Sequence, residues 1–279
     1  MSKGFVILVQ NTADVDYLKQ AYALALSIQI SQSTVKNISL VTSDEVPNHY
    51  KQVFDQILPI PWVTEQSTSR YRAEHRWKLY YASPYDETIV LDADMLILED
   101  IATWWDQCSN YDVNYCSRIK NYKLNVVTDS FYRKAFVNNN LPSPYSALHY
   151  FKKSEAASEF YKVLEFVCNN WEWCYGNFAP DEYENFLSMD LATAITIELT
   201  GMHSCLDVNS PLEFIHMRPL LQDWEIPFAS WQDAVPCVLN SDGYLIVGNI
   251  RQSRIFHYIE KDFLTDAMVL KLEEVANGK

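Results

Sequence analysis

Two carboxylates stand two residues apart in the stretch Ile89-Val90-Leu91-Asp92-Ala93-Asp94-Met95. In an extended chain, residues i and i+2 share a face. The apolar run before them predicts a buried strand that ends at the pair. Bare carboxylates in such a place repel one another and lose hydration. A hard divalent cation relieves both, and Mg²⁺ or Mn²⁺ accepts carboxylates together with phosphate oxygens of a bound ligand. The chemistry this suggests is departure of a metal-bound diphosphate, with the cation stabilising the developing charge. The plainer reading of a bare Asp-x-Asp is a pair of acids at a strand end.

A second group of residues is marked by charge. The 279-residue chain carries 22 Lys+Arg against 36 Asp+Glu, a net charge of −14. Residues 114–153 run the other way. They hold Arg118, Lys120, Lys123, Arg133, Lys134, Lys152 and Lys153 against the single acid Asp129, a local net of +6. Tyr115, Tyr122, Phe131, Tyr132 and Phe136 interleave with these cations. That composition suits a polyanionic partner, held by phosphate contacts and stacking; the plainer reading is a solvated basic face that balances acidic neighbours. The overall charge excludes a generally cationic nucleic-acid binder.

The elements that must position these groups follow from hydrophobic patterning. Residues 5–9 form a continuous apolar run, as a strand buried on both faces requires. Asn11 to Asp14 reads as a turn and N-cap, after which Tyr17, Leu18, Ala21, Leu24, Ala25 and Ile28 recur at helical spacing. Residues 37–42 predict a second strand, and a short helix through Tyr50 and Phe54 leads to 56–60. A helix over about 70–82 stops at Ser83-Pro84, and 88–94 predict a further strand. This βαβαβαβ order implies a mostly parallel sheet with helices on both faces, whose ligands bind beyond the C-terminal strand ends. Further on, 148–151 predict a strand and Ser154 opens a helix to about 169. Residues 171–175 read as a Trp-rich loop, and a helix runs from Pro180-Asp181 to its C-cap at Gly201. Strands are expected at 213–216, 244–247 and 254–258, the last two bracketing 248–253 as a hairpin loop. A helix over about 262–276 closes the chain. There is no internal repeat and no clear linker.

Residues 76–101 carry Lys78-Leu79, Tyr85-Asp86, the apolar strand ending Asp92-Ala93-Asp94, and Asp100-Ile101. This stretch resembles glycosyltransferase family 8, the glycogenin-like enzymes of the GT-A fold. The phosphatase strand of the haloacid dehalogenases also ends in Asp-x-Asp, but it is normally the first strand and is followed by Thr or Val; here the pair lies on the fourth, before Met95. The resemblance implies an α/β, Rossmann-like GT-A fold, with a mixed, mostly parallel sheet in one domain over 1–279. Residues 1–110 would bind the nucleotide sugar. Residues 111–279 would form the acceptor side and the C-terminal metal-binding segment.

The same resemblance implies the site. Asp92 and Asp94, with Ala93 between them, would hold Mn²⁺ or Mg²⁺ and the diphosphate of a UDP-sugar. His257, in Phe256-His257-Tyr258, would be the third metal ligand. The Gly and Lys-Pro-Trp that follow this histidine in the family are missing, and Lys261 is the nearest substitute for the phosphate-binding lysine. Lys78 falls at the diphosphate- and donor-contacting position. Asn11 and Thr12 would meet base and ribose, with Tyr17 stacking on uracil. Asp190, in Ser188-Met189-Asp190, would lie near the reacting sugar carbon, with Asp181 as the competitor. The family's Asn-Ser-Gly is replaced by Tyr145-Ser146-Ala147, which points to an unusual donor such as a pentose.

These readings together imply a metal-dependent, retaining transferase that moves a hexose or pentose from a UDP-sugar to an acceptor hydroxyl. One polyanionic acceptor is a hydroxylated base in DNA, flipped out of the stack, the chemistry of phage-type DNA-modifying enzymes. The alternatives are a glycan or protein acceptor, or a non-catalytic protein that binds sugar nucleotides or carbohydrate, with Trp104, Trp105, Trp171 and Trp173 as stacking platforms. No apolar run reaches the length of a membrane span, and 5–9 is too short for a secretory leader, so a cytoplasmic location is expected. The six cysteines show no CxxC pair and read as reduced singletons.

Overall fold

A computed structural model describes residues 1–62, 73–127, 133–180, 186–217 and 231–278. The first apolar run forms β1 (Lys3–Val9), and its alternation explains why it carries no polar face. Phe5, Ile7 and Val9 enter one hydrophobic core, while Val6 and Leu8 enter the other on the opposite side. β2 (Ile38–Thr42) pairs parallel with β1, with Ile38 opposite Phe5, and the edge strand β3 (Gln56–Leu58) pairs parallel with β2. β4 (Glu87–Leu91) lies parallel to β1 on the other side, with Ile89 opposite Phe5. Two later strands extend this sheet. β8 (Tyr145–Lys152) is antiparallel to β4, and β6 (Val113–Cys116) is antiparallel to β8, which gives the order β3-β2-β1-β4-β8-β6.

Helices cover both faces. On one side lies α1 (Tyr17–Ser31), whose N-cap Asp16 accepts from the Lys19 amide. The C-terminal helix Asp266–Gly278 packs against it. On the other side lie α6 (Glu155–Asn169) and α8 (Met189–Thr200). Ser154 caps α6 by accepting from the Ala157 amide, as the sequence predicts, and Gly201 at φ +68° ends α8 in the left-handed conformation. Gly4 is required for packing: a Cβ there would run into the ring of Tyr85, whose hydroxyl meets Ser39 Oγ at 2.9 Å.

A second sheet crosses the C-terminal end of β4. β5 (Met95–Ile97), β7 (Arg118–Lys120), β9 (Glu213–His216) and β13 (Ile255–His257) line up in the order β5-β13-β9-β7. A third, small sheet joins β10 (Cys237–Leu239), β11 (Leu245–Val247) and β12 (Ile250–Arg251). Among the described residues no helix is long and apolar enough to cross a membrane. All six cysteines are free.

Several local expectations are corrected. The 244–258 hairpin does not form: β11 pairs with β10 and β12, whereas β13 pairs with β5 and β9 in another sheet. Residues 171–175 are not a loop but open a helix, Trp171–Phe178, seated on a buried Cys174. The helix expected over 70–82 is a 3₁₀ turn, Ala73–Lys78, followed by one short α-turn, Leu79–Ala82, and residues 70–72 lie outside the described set. The closing helix begins at Asp266 rather than 262. The cap of α1 is Asp16, because Asn11 and Thr12 fold the turn before it.

Candidate active site

Asp92 and Asp94 do not continue β4. They occupy a turn between β4 and β5, where the chain leaves one sheet for the next. Two backbone bonds hold this turn. The Asp92 amide donates to Ala147 O at 3.0 Å, and the Tyr258 amide donates to Asp94 O at 3.1 Å. The pair therefore sits at the C-terminal end of a parallel strand, the edge at which α/β sheets bind ligands.

The Asp94 carboxylate is buried and doubly engaged. Its Oδ1 lies 3.1 Å from His257 Nε2, and its Oδ2 accepts from Lys261 Nζ at 2.5 Å. The Arg76 guanidinium pairs with Asp92 Oδ1. Burial acts to raise Asp94, but His257 and Lys261 overcome it and hold the carboxyl well below the usual range. Asp92 is shifted the other way: burial raises it against the pull of Arg76, and the charge of Asp94 adds to the rise. The two acids thus divide, one firmly ionised and one more easily protonated.

The donor set fits a divalent cation. One ligand atom each from Asp92, Asp94 and His257 falls within 4.8 Å of the others. The 3.1 Å between His257 Nε2 and Asp94 Oδ1 matches the edge of an octahedron with about 2.1 Å bonds, roughly 3.0 Å. Two carboxylates with one imidazole suit a first-row divalent cation. Lys261 sits on the other oxygen of the same carboxylate, Oδ2, so a cation on Oδ1 would share Asp94 with this ammonium and meet its positive charge. Ala93 is buried between the acids and contributes no side-chain ligand.

A hydrogen-bonded chain leads away from this cluster. Arg76 Nη1 donates to Ser146 Oγ at 3.0 Å. Ser146 in turn donates to Asp190 Oδ1 through its amide at 2.7 Å and its hydroxyl at 2.6 Å. Arg133 Nη1 donates to Asp190 Oδ2 at 2.6 Å, and its guanidinium lies between the rings of Phe136 and Tyr145, 4.0 and 4.1 Å from their centroids. Asp190 stands in the first turn of α8, where Ser188 caps the helix and the macrodipole favours an anion. Burial opposes its ionisation, but Arg133 and the Ser146 bonds hold it below the ordinary carboxyl range. Below them, His149 stacks on Tyr115 with centroids 4.6 Å apart and contacts Ser146 O through Nδ1. Burial lowers this imidazole to about 3.

The structure brings Asp92, Asp94, His257 and Lys261 together, with Asp190 joined to them through Arg76 and Ser146. Tyr17 borders the cluster, its ring centroid 5.1 Å from Lys261 Nζ. Asn11 and Thr12 are committed to the turn before α1. Asn11 accepts from the Leu18 amide and donates its own amide to Asp44, and Thr12 Oγ1 accepts from Val15. Lys78 turns away from the acids. It is buried beside Trp77, and burial lowers its ammonium against the pull of Glu74 and Glu165. Asp181 lies outside the described residues.

Arg76, Ser146 and Arg133 were missed as site residues. Arg76 is the one arginine within residues 76–101, and its guanidinium could have been matched to the acids it faces. Ser146 stood in the Tyr145-Ser146-Ala147 segment set against the family's Asn-Ser-Gly, and Arg133 was counted only with the basic segment; neither position announced its bond to Asp190.

Five of the seven cations of the basic segment have partners within the chain. Arg118 donates to Ser210 O, Lys120 pairs with Glu213 at 3.0 Å, and Lys152 pairs with Asp112 at 3.5 Å. Arg133 serves Asp190, and Lys153 donates to Tyr80 O above the Tyr80 ring. Lys123 and Lys134 are exposed, and Asp129, Phe131 and Tyr132 lie outside the described residues.

No protein-family model matches the sequence, and no curated protein matches it. Solved structures do. Mouse xyloside xylosyltransferase 1, in its apo form, superposes with a TM-score of 0.53 at 9% identity over 95% of this chain and 100% of its own. Galactosyltransferase LgtC, in complex with donor and acceptor sugar analogues, superposes with a TM-score of 0.53 at 11% identity over 99% of this chain and 95% of its own. The chain has the fold of the GT-A glycosyltransferases.

Proposed function

We propose that the protein is a metal-dependent glycosyltransferase that takes a sugar from a UDP-sugar and retains its anomeric configuration. The observation that carries this reading is the cluster of Asp92, Asp94 and His257 at the C-terminal end of β4, on a GT-A fold whose structural neighbours are glycosyltransferases. Asp92, Asp94 and His257 would hold Mn²⁺ or Mg²⁺, which when bound supplies positive charge to a departing diphosphate. Lys261 fits the role of a second cation for that diphosphate once it is released from Asp94. Tyr17, beside Lys261, offers an aromatic surface for a base. Asn11 and Thr12 would contribute through the backbone of their turn, because their side chains are already engaged.

Asp190 is the acid suited to the sugar side. It is ionised, fixed by three hydrogen bonds, and joined to Asp92 through Ser146 and Arg76, so its carboxylate is preorganised to orient the donor or to face positive charge developing at the anomeric carbon. Arg76 fits the donor-contacting role better than Lys78, since Arg76 touches Asp92 and Lys78 faces the other way. In a retaining reaction the acceptor hydroxyl approaches on the leaving-group side and gives its proton to the diphosphate. For a DNA acceptor the free anchor is smaller than the segment charge suggests, because five of its seven cations already have partners within the chain.

The test is a panel of nucleotide sugars with Mn²⁺, measuring UDP release with no acceptor and with hydroxylated DNA, oligosaccharide or protein added. Turnover with one UDP-sugar supports the reading, and the acceptor that accelerates it names the acceptor class. UDP-sugar binding without turnover under every condition would identify a non-catalytic binder instead.

A further inference from the structure

The 3₁₀ turn Ala73–Lys78 sends Arg76 to Asp92, while Trp77 and Lys78 line a separate cleft of about 340 Å³. That volume lies within the range of small-ligand pockets. Trp62 forms its outer wall. It is 65% exposed and holds φ +53°, so a large apolar ring remains in water on a backbone conformation that bulky residues avoid. Strained backbone kept at a surface position is a common mark of a functional site. The Trp62 ring lies near-parallel to Trp77, at 20° with centroids 6.0 Å apart. Trp62 and Trp77 thus give the cleft an aromatic wall, and Tyr81, outside the lining, meets the Trp62 ring edge-on at 5.1 Å. Lys78, Glu165 and Asn169 also line the cleft and place donors and acceptors beside that wall.

We propose that this cleft binds a pyranose residue of a glycan. The C–H face of the sugar ring would lie on Trp62, with its hydroxyls bonding Glu165, Lys78 and Asn169. A phosphorylated ligand fits less well, because Glu74 and Glu165 place two carboxylates near the single ammonium of Lys78. Trp104 and Trp105 are buried in the core and present no such surface. The cleft shares no residue with the Asp92–Asp94 cluster, so the inference stands independently of the transferase reading.

The test is ligand-observed saturation-transfer NMR on the full chain, with lactose, xylobiose and maltotriose as probes, each with and without UDP and Mn²⁺. At least one probe is expected to give a saturable signal that persists with UDP and Mn²⁺ present and in Asp94→Asn. Trp62→Ala is expected to weaken that binding by about tenfold or more, with an unchanged circular dichroism spectrum because the ring is exposed. Glu165→Gln should weaken it as well. Three silent probes, a signal displaced by UDP, or equal affinity in Trp62→Ala would each overturn the proposal.

Discussion

Replacing Lys261 with Met should tighten metal binding, although it removes a group from the proposed donor site. Lys261 Nζ lies 2.5 Å from Asp94 Oδ2. Two unit charges at that separation attract by about 6–7 kcal/mol at an effective dielectric near 20. The lysine side chain is 38% exposed, so solvent screens much of this and leaves about 1.5–3 kcal/mol. A cation on Asp94 Oδ1 competes with this ammonium for the charge of one carboxylate, so Lys261→Met should bind Mn²⁺ about 10- to 100-fold more tightly when nucleotide is absent. The metal-free variant should melt at a lower temperature, because Asp92 and Asp94 lose a compensating charge. Titration calorimetry or the EPR signal of free Mn²⁺ measures the first effect, and thermal unfolding in chelator the second. A purely structural lysine would weaken both. Unchanged or weaker Mn²⁺ affinity in a folded Lys261→Met protein would refute the competition argument.

Arg76→Lys keeps a charge near Asp92 but cannot fork to Ser146 Oγ as well; it should lower kcat by about 10- to 100-fold with a small change in melting temperature, which steady-state kinetics on the preferred UDP-sugar would show. Burial holds His149 at about 3 in the folded state, against its ordinary 6.5. The unfolded chain therefore binds the extra proton first, and stability falls as pH drops from 6.5 toward 3. At pH 5 this amounts to about 2 kcal/mol relative to neutral pH. Denaturant unfolding should show that component in the wild type and lack it in His149→Gln. Gly4→Val should destabilise by about 2 kcal/mol or more, because the added side chain meets the buried Tyr85 ring; unfolding at fixed pH checks it.

The parts of the fold that rest on local pattern could be read from the sequence. The apolar runs of β1, β2 and β4 are buried on both faces and leave no polar alternation to confuse. Ser154 announces α6 because a cap needs only the residues that follow it. What could not be read depends on distant pairing. β13 joins β5 from some 160 residues away, and nothing near 244–258 opposes the simpler hairpin. The strand reading of Asp92 and Asp94 failed for the same reason: the turn exists because Ala147 and Tyr258, far apart in sequence, hold its two ends. In the site, the resemblance reached His257 and Lys261, and the structure brings both to Asp94. It also directed attention to Lys78, while the guanidinium two residues earlier faces Asp92. On a 3₁₀ turn, with three residues per turn, a two-residue offset points a side chain about 120° away. The basic segment read as free charge because charge counts do not show partners, and Glu213, Asp190 and Asp112 lie outside it.

The central claim is that Asp92, Asp94 and His257 form a cation site that activates a UDP-sugar. The most direct measurement compares Mn²⁺-dependent release of UDP by the wild type and by Asp94→Asn, whose similar shape preserves the turn. The account predicts release that requires the metal in the wild type and a loss of about 100-fold or more in the variant. Near-wild-type release by a folded Asp94→Asn, or release that is indifferent to chelator, would contradict it.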